Sequence, residues 1–493
     1  MMLKRAPWKR FFQGIGMRSF RFGALAASLL AATLMTPAAH AADAPAPLRA
    51  DQAKFRELYK EFVETDTSIT TGSCTALADK IEGHLKAAGF ADTQITRFAV
   101  PDHPKEGGLV VVLPGSSKTL KPILLLGHLD VVVAKREDWT RDPYQFIEEN
   151  GYFYGRGVAD MKAMDAIWVD MLTRFKSEGY RPKRTLKLAL TCGEETSWAF
   201  NGVRWLAENR RDLIDAEFAL NEGGGGRTDG SPEGKVIQQN LHVGEKVVAN
   251  FKIEATNPGG HSSIPIRDNA IYELSDALVK LRDYEFPLML NDTTRGYFAK
   301  LGATRNDAIG KAMLAIVANP ADKQAEATLN TDRSFHSMLR TTCVATLLEG
   351  GHANNALPQR AAATVNCRIF PGVSFEAVQK TLTDVIADPR MTVTKIDDRG
   401  PLPKAPPLTP QILGPAEKLV AKYYPGVPLV PVMSTGATDG IYLEAVGIPS
   451  YGPPGLYGDP DGNGAHGLNE RMRAKAVYTG RDFLTDLVKA YAG

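Results

Sequence analysis

The sequence of 493 residues lacks the signatures of several common classes of enzyme. It contains no GxSxG, HExxH or CxxC segment, which disfavours a nucleophile-elbow serine hydrolase, a single-zinc protease and a cysteine-bound zinc site. The glycine run at 223–226 is not followed by Gly-Lys-Ser/Thr, so it does not indicate phosphate binding. No Gly-X-Y, heptad or longer repeat recurs, which excludes collagen, coiled-coil and solenoid folds. A compact enzyme is the class that remains.

An excess of positive charge exists only at the start of the chain. Six of the 58 Lys and Arg residues lie in the first 41 positions, where no acid occurs, which leaves 52 basic against 56 acidic residues for the remainder. We therefore expect no nucleic-acid partner, because the body of the chain lacks a basic excess.

The first 41 residues have the layout of a secretory signal peptide. The basic start is followed by an apolar run at 22–35 and by the small-residue end Ala39-His40-Ala41. The alternative is a membrane anchor, but the run is shorter than the ~20 residues that a spanning helix needs. We predict a signal peptide at 1–41, a flexible mature start at 42–50, a periplasmic or secreted protein, and no membrane association after cleavage.

Strand-like and helix-like patterns alternate through the first half of the chain. Apolar runs at 122–127, 186–192 and 216–221 are typical of strands, and the intervening segment at 164–175 has apolar residues along one helical face. Such alternation indicates an α/β fold with a mostly parallel sheet covered by helices.

The pattern changes near residue 245, where half-exposed strands replace the buried ones. This change predicts an α+β domain at 246–398, containing a helical insertion at about 295–338, within a catalytic domain that is split into 42–245 and 399–493. The segments behind this prediction are strands at 246–254, 341–348 and 361–370, a helix at 270–281, a Pro-rich linker at 401–410 and a strand at 427–432.

Potential metal ligands follow each of the three early strands. Because the carboxyl ends of parallel strands meet at one edge of a sheet, these residues should converge there. Histidine and carboxylates form a donor set suited to zinc, with manganese or cobalt as substitutes. Taken one at a time, the histidine could be a packed core residue and the acids could be solvated surface groups. Acids that directly follow an apolar run would lack partners, however, unless they meet at a shared site. The candidates are His128, Asp130, Asp160, Glu194, Glu195, Glu222 and the late His466.

Eight motifs occur in the order typical of one family. The chain resembles the dizinc exopeptidases and amidases that include aminoacylase, glutamate carboxypeptidase, vacuolar Gly-X carboxypeptidase and succinyl-diaminopimelate desuccinylase. The resemblance implies a zinc-exopeptidase-like fold with an inserted lid or dimerisation domain. The motifs are GHLDVV at 127–132, YGRGVADMK at 154–162, CGEE at 192–195, NEG at 221–223, GGHSS at 259–263, NALP at 355–358, TGATD at 435–439 and HGLNE at 466–470.

The resemblance implies two Zn²⁺ ions per subunit. Asp160 would bridge them, His128 and Glu222 would complete one site, and Glu195 and His466 would complete the other. A metal-bound water has a lowered pKa and can attack an amide carbonyl.

The resemblance also assigns catalytic roles. Glu194 would be the general base, and Asp130 would orient His128. His261 would reach a neighbouring active site and stabilise the oxyanion.

Asn355 and Arg368 would contact a substrate carboxylate. The family often has an acid two residues before that arginine, whereas this chain has Asn366.

We therefore predict an exported dinuclear zinc hydrolase that cleaves an amide bond beside a free carboxylate. A carboxypeptidase or dipeptidase is the leading interpretation, and an N-acyl-amino-acid hydrolase is the alternative. A non-catalytic peptide-binding relative is a remote third. We expect a homodimer in which His261 acts on the partner's site, or else a monomer in which the insertion covers the open sheet edge.

Two covalent features are also predicted. Relatives of this kind often hold the peptide after the bridging aspartate in cis, which predicts a cis bond between Asp160 and Met161. The four cysteines permit three complete pairings. A hairpin folded about residue 355 would place Cys343 opposite Cys367, which predicts a disulfide between them.

Overall fold

The computed structural model describes residues 47–196, 199–396, 400–402 and 404–493. The predicted signal peptide at 1–41 lies outside these residues, as does the predicted domain boundary at 398/399. The predicted flexible start at 42–50 is described only from residue 47, and a helix already begins at Ala50. Within the described ranges, no helix combines the length and the apolar character that crossing a bilayer requires.

The described residues form helices and strands along the whole chain. The helices are α1 (Ala50–Glu64), α2 (Cys74–Ala87), α3 (Lys162–Ser177), α4 (Gly202–Asn209), α5 (Arg211–Ile214), α6 (Ala270–Asp283), α7 (Asp292–Ala303), α8 (Ala308–Ala318), α9 (Lys323–Leu329), α10 (Arg333–Met338), α11 (Phe375–Ile386), α12 (Pro410–Tyr423), α13 (Gly440–Ala445) and α14 (Ala474–Ala492). The strands are β1 (Ile95–Val100), β2 (His103–Leu113), β3 (Ile123–His128), β4 (Ile147–Glu149), β5 (Tyr152–Tyr154), β6 (Leu186–Thr191), β7 (Phe218–Leu220), β8 (Gly225–Thr228), β9 (Val236–Glu245), β10 (Val247–Thr256), β11 (Gly260–His261), β12 (Thr342–Gly350), β13 (Ala356–Leu357), β14 (Arg360–Ile369), β15 (Met391–Lys395), β16 (Leu429–Ser434), β17 (Ser450–Gly452), β18 (Tyr457–Gly458) and β19 (Arg471–Arg473).

A ten-stranded sheet, here called the large sheet, forms the centre of the fold. Its order is β1-β2-β6-β3-β7-β17-β9-β8-β18, and β16 also pairs with β9. The central strands β6, β3, β7 and β17 run parallel to one another. At one side, β2 runs antiparallel to β6 and β1 runs antiparallel to β2. This arrangement confirms the predicted α/β class with a mostly parallel central sheet.

Helices cover both faces of the large sheet, which is why its central strands are buried on both sides. Every residue of β3 and β6 is buried. Helix α3 packs on one face among a large apolar core, and its Trp168 donates a hydrogen bond to the backbone oxygen of Leu126 in β3. A second core, which includes residues of α4 and α13, lies on the other face. Strands buried on both sides are expected of parallel sheets.

A separate four-stranded sheet, here called the small sheet, has the order β12-β14-β10-β15. Strand β10 alternates buried and half-buried residues, as predicted, and its buried face packs with α6 and α11 in a core of its own. Helices α7–α10 coincide with the predicted helical insertion and pack around a further apolar core.

All four cysteines form disulfides in the structure. Cys343 and Cys367 lie opposite each other in β12 and β14 and are bonded, which confirms that prediction. Cys74 is bonded to Cys192 and so links the start of α2 to the end of β6. This second pair was not predicted from the sequence, and its cysteines are separated by 118 positions.

Candidate active site

The carboxyl ends of three adjacent parallel strands form the floor of the site. β3 pairs with β6 on one side and with β7 on the other, all in the same direction. His128 ends β3, Glu194 and Glu195 follow β6, and Glu222 follows β7. The convergence expected from the strand-end positions is therefore present.

Asp160 lies between two histidines that come from distant parts of the chain. Its Oδ1 is 3.2 Å from Nε2 of His128, and its Oδ2 is 3.1 Å from Nε2 of His466. The peptide bond between Asp160 and Met161 is cis, which confirms the prediction. The two carboxylate oxygens thus face two different imidazoles, as a bridging ligand requires.

Two further carboxylates complete the cluster. Nε2 of His466 is 2.9 Å from the carboxylate of Glu195, and Nε2 of His128 is 3.8 Å from Oε2 of Glu222. Ligand atoms of His128, Asp160 and Glu195 lie within 4.8 Å of one another, and so do those of His128, Glu194 and Glu222. Imidazole and carboxylate atoms at these separations could hold a divalent metal ion.

Burial and mutual charge shape the proton affinities of the cluster. Burial raises the pKa of Glu194 well above its usual range, and the charge of Glu222 adds to the effect. Hydrogen bonds to Asp160 and Glu195 raise the pKa of His466 to about 10. Burial by itself would raise the pKa of Asp160, but the hydrogen bonds from His128 and His466 outweigh it and lower that pKa. A buried carboxylate with increased proton affinity, such as Glu194, is suited to accept a proton.

Asp130 supports the site differently from what the resemblance implies. Nδ1 of His128 is 3.0 Å from the backbone oxygen of Asp130, whereas the Asp130 carboxylate is 3.8 Å away. That carboxylate instead accepts hydrogen bonds from the backbone N–H groups of Gly193 and Glu195, at 2.8 and 3.0 Å. Its main contacts therefore hold the turn that carries Glu194 and Glu195, because backbone amides provide the closer donors.

Arg368, on β14 of the small sheet, lies in the wall of a cavity beside the cluster. Together with Glu194, Glu195 and His466 it lines this cavity of about 330 Å³, here called the arginine cavity. Asn366, which replaces the family's acid, donates a hydrogen bond to Oδ1 of Asn250 on the neighbouring strand.

His261 and Asn355 lie beside each other on the short ribbon of β11 and β13. The N–H of Ser262 donates to the backbone oxygen of Asn355, and the exposed His261 contacts Oγ of Ser263 at 2.6 Å. Within the described residues, neither side chain makes a hydrogen bond or ion pair with the metal-ligand cluster. The structure therefore brings the proposed ligands, Glu194 and Arg368 together, and leaves His261 and Asn355 apart from them.

A second cavity, of about 510 Å³, adjoins the same cluster through Asp160 and Glu222. We call it the acyl-side cavity. Residues 223–226 form part of its wall, and a Cβ at Gly224 would lie 2.2 Å from the backbone oxygen of Pro453, so only glycine permits this close approach. Its apolar lining includes Met161, Met164, Leu456, Tyr457 and Met472.

Glu470 is a residue of the site to which sequence reasoning gave no role. It is completely buried, and its carboxylate accepts hydrogen bonds from the backbone N–H groups of Gly157, Ala159 and Asp160. Its only signal in the sequence is its place at the end of the HGLNE motif. Asp439 of the TGATD motif also lines the arginine cavity, and burial raises its pKa to about 7.

Comparisons with known proteins agree with this geometry. The model of peptidase family M20/M25/M40 matches residues 124–490. Human N-fatty-acyl-amino acid synthase/hydrolase PM20D1 is 27% identical over 453 residues, covering 89% of this chain and 88% of the relative. Rat aminoacylase-1A is 26% identical over 402 residues, covering 78% and 83%.

The fold is also found among solved structures. The M20 family metallo-carboxypeptidase Sso-CP2 from Sulfolobus solfataricus superposes with a TM-score of 0.64 at 18% identity, covering 90% of this chain and 100% of that chain. Because the family model spans most of the chain and all the strand-end acids, this protein belongs to peptidase family M20/M25/M40 and is a metal-dependent hydrolase.

Proposed function

We propose that this protein is an exported dinuclear zinc hydrolase that cleaves the amide bond of an N-acyl amino acid, beside its free carboxylate. The observation that carries the proposal is the position of the two cavities, which adjoin the same ligand cluster through different members of it. A scissile amide placed over the cluster would have one half of the substrate in each cavity.

The arginine cavity suits the carboxylate half of the substrate. Arg368 offers a planar pair of N–H donors, which is the geometry that binds carboxylates in a bidentate manner. We therefore infer that the free carboxylate lies on the small-sheet side of the reacting bond.

The acyl-side cavity suits an uncharged, apolar acyl group. Asp459 lines it, but its carboxylate already accepts hydrogen bonds from the side chains of Tyr152, Thr228 and Arg473. Apart from the proposed ligands Asp160 and Glu222, no other acid is among the described lining residues, whereas the cationic Arg227 is. A free α-ammonium group would lack a counter-charge there, and burying an unpaired charge is costly. This argument favours the N-acyl alternative over a dipeptide.

The proposed chemistry follows from the residues around the reacting bond. His128, Glu222, Glu195, His466 and the bridging Asp160 would hold two Zn²⁺ ions, which supply a water of lowered pKa and polarise the amide carbonyl. Glu194 would accept a proton from the attacking water and would later donate it to the departing amine.

Export is supported by two observations. The N-terminal segment has the layout of a signal peptide, and both cysteine pairs are oxidised in the fold. Disulfides persist mainly in extracytoplasmic compartments.

A homodimer is proposed because the small sheet has an exposed apolar edge. On β12, the side chains of Val344, Leu347 and Leu348 are 61%, 64% and 67% exposed. Among the described strands, β12 pairs only with β14. A contiguous apolar edge of this kind is typical of an interface between copies. The partner's histidine at position 261 could then complete the site that His261 does not contact in its own subunit.

The test is a zinc-loaded assay against N-acyl amino acids of increasing chain length, unblocked dipeptides and folyl-type glutamates. We expect N-acyl substrates to be hydrolysed at least ~10-fold more efficiently, in kcat/KM, than dipeptides with the same carboxylate residue. Met164→Trp should fill the acyl-side cavity and reduce kcat/KM for long acyl groups by ~10-fold or more, with little loss for N-acetyl substrates.

Met171→Ala is the matched control. Met171 lies on the same helix α3 but is fully buried in the core, so this change should lower the melting temperature and preserve the ratio of long-chain to acetyl activity. A preference for dipeptides would contradict the N-acyl assignment, and inactivity on every substrate would contradict the hydrolase itself.

A further inference from the structure

A buried ion pair joins the two loops that carry Asp160 and His466. Nη1 of Arg156 is 2.8 Å from Oε2 of Glu470, and the two side chains are 3% and 0% exposed. The other arm of the guanidinium, Nη2, donates to the backbone oxygen of Gly467 at 2.9 Å. Arg156 lies in the loop before α3. Its contact therefore ties this loop to Gly467, the residue that directly follows His466.

The carboxylate of Glu470 is surrounded by donors only. Oε2 accepts from Arg156 and from the N–H of Gly157, and Oε1 accepts from the N–H groups of Ala159 and Asp160, at 2.8 and 3.1 Å. An amide at this position would present N–H₂ to two of these donors. The site therefore requires a carboxylate, and not merely a polar side chain of the same shape.

The loop that carries His466 needs such support because of its backbone conformation. His466 and Asn469 have φ angles of 60° and 54°, a region that residues with side chains rarely occupy. Conformations of this kind persist only where the surroundings fix them. Oδ1 of Asn469 accepts hydrogen bonds from the N–H and hydroxyl of Thr140, and Arg156 fixes Gly467.

We propose that Glu470 is a positioning residue for the metal pair. Together with Arg156, it fixes the position of the Asp160 loop relative to the His466 loop. Its role as a positioning residue rests on the proposed dinuclear site. Asp160 and His466 would both serve the metal that Glu195 binds, whereas only Asp160 would serve the metal of His128 and Glu222. Loss of Glu470 therefore weakens the Glu195–His466 site more than the other.

Glu470→Gln tests this role by metal titration and by spectroscopy. We expect one of the two Co²⁺ or Zn²⁺ binding steps to weaken by ~10–100-fold, with a smaller change in the other. The visible spectrum of the Co²⁺ protein should change, because it reports ligand geometry, and excess metal should restore much of kcat.

Asp170→Asn is the matched control for the loss of a buried ion pair. Asp170 pairs with Arg481 between α3 and α14, where the two side chains are 7% and 0% exposed and no proposed ligand takes part. This variant should lose thermal stability and keep both metal affinities. If Glu470→Gln does not fold, Arg156→Lys is the second variant. It keeps the positive charge but loses the hydrogen bond from Nη2 to the backbone oxygen of Gly467, and it should also weaken one metal-binding step.

Two results would distinguish a failure of the positioning role from a failure of the proposed function. Unchanged affinity for both metals in folded Glu470→Gln, or in folded Arg156→Lys if only that variant folds, would overturn the positioning role. Absence of metal binding by the wild-type protein would instead overturn the proposed function.

Discussion

The large sheet and the short ribbon of β11 and β13 hold their functional residues in opposite ways. At the end of the large sheet, His128 is 2% exposed and Glu470 is fully buried, and both are fixed by several hydrogen bonds. On the short ribbon of β11 and β13, His261 is exposed and its ring contacts its own neighbour Ser263.

This difference indicates two kinds of functional site. Groups that bind metal must already be placed before the metal arrives, which requires buried partners. Groups that contact only the substrate can be delivered by a moving segment or by another subunit. The predictions below test whether the two regions differ in this way.

The largest effect is expected at the large sheet. Glu194→Gln should reduce kcat by ~10²–10⁴-fold and retain both metals, because the amide keeps the shape of the side chain but cannot accept a proton. Metal content by mass analysis and steady-state kinetics check this expectation. The neighbouring change Glu195→Gln is the control and should lose metal as well as activity. Near-normal turnover in metal-replete Glu194→Gln would refute the assignment of the base.

On the ribbon of β11 and β13, His261→Ala should cost ~10²–10³-fold in kcat, as for the loss of one oxyanion donor, with metal content unchanged. Mixing it with Glu194→Gln subunits should restore about a quarter of wild-type activity, since half of the dimers are mixed and each has one intact site. Adding the double variant to Glu194→Gln should restore nothing. If subunits exchange and activity stays absent, His261 acts within its own subunit or not at all.

The smallest effect concerns the junction between the large sheet and the small sheet, where β9 leads into β10. Burial lowers the pKa of Lys246 to about 7, and the charges of Arg368 and Arg340 contribute. Its Nζ donates to the backbone oxygen of Ser337, to Oγ of Ser337 and to Oγ1 of Thr342.

From about pH 7 to pH 10.5 the unfolded chain therefore binds more protons at Lys246 than the folded chain does, so this residue makes the free energy of unfolding rise with pH. The slope is at most about 1.4 kcal/mol per pH unit, and below pH 7 the contribution is constant. Urea denaturation across this range should show a flatter profile for Lys246→Met. Parallel profiles would show that Lys246 stays charged in the fold.

Much of the fold could be predicted because its elements differ in local pattern. Strands β3 and β6 and helix α3 were recognisable from continuous apolar runs and from helical spacing. Helix α1 was missed, although Phe55, Tyr59 and Phe62 have helical spacing, because its start adjoins a segment rich in Ala and Pro. The hairpin of β1 and β2 was also missed, because its pairing depends on contact with β6.

The sequence by itself determined which residue types stand at the ends of the strands. His128, Glu194, Glu195 and Glu222 follow apolar runs, and the direction of parallel strands brings such ends together. Only the tertiary structure decided how those residues are supported. The Asp130 carboxylate holds the Glu195 turn, and Glu470 accepts from Arg156, which lies 314 positions away. Such contacts join segments that local periodicity cannot relate, because spacing along the chain records which face a residue occupies and not which distant loop it meets.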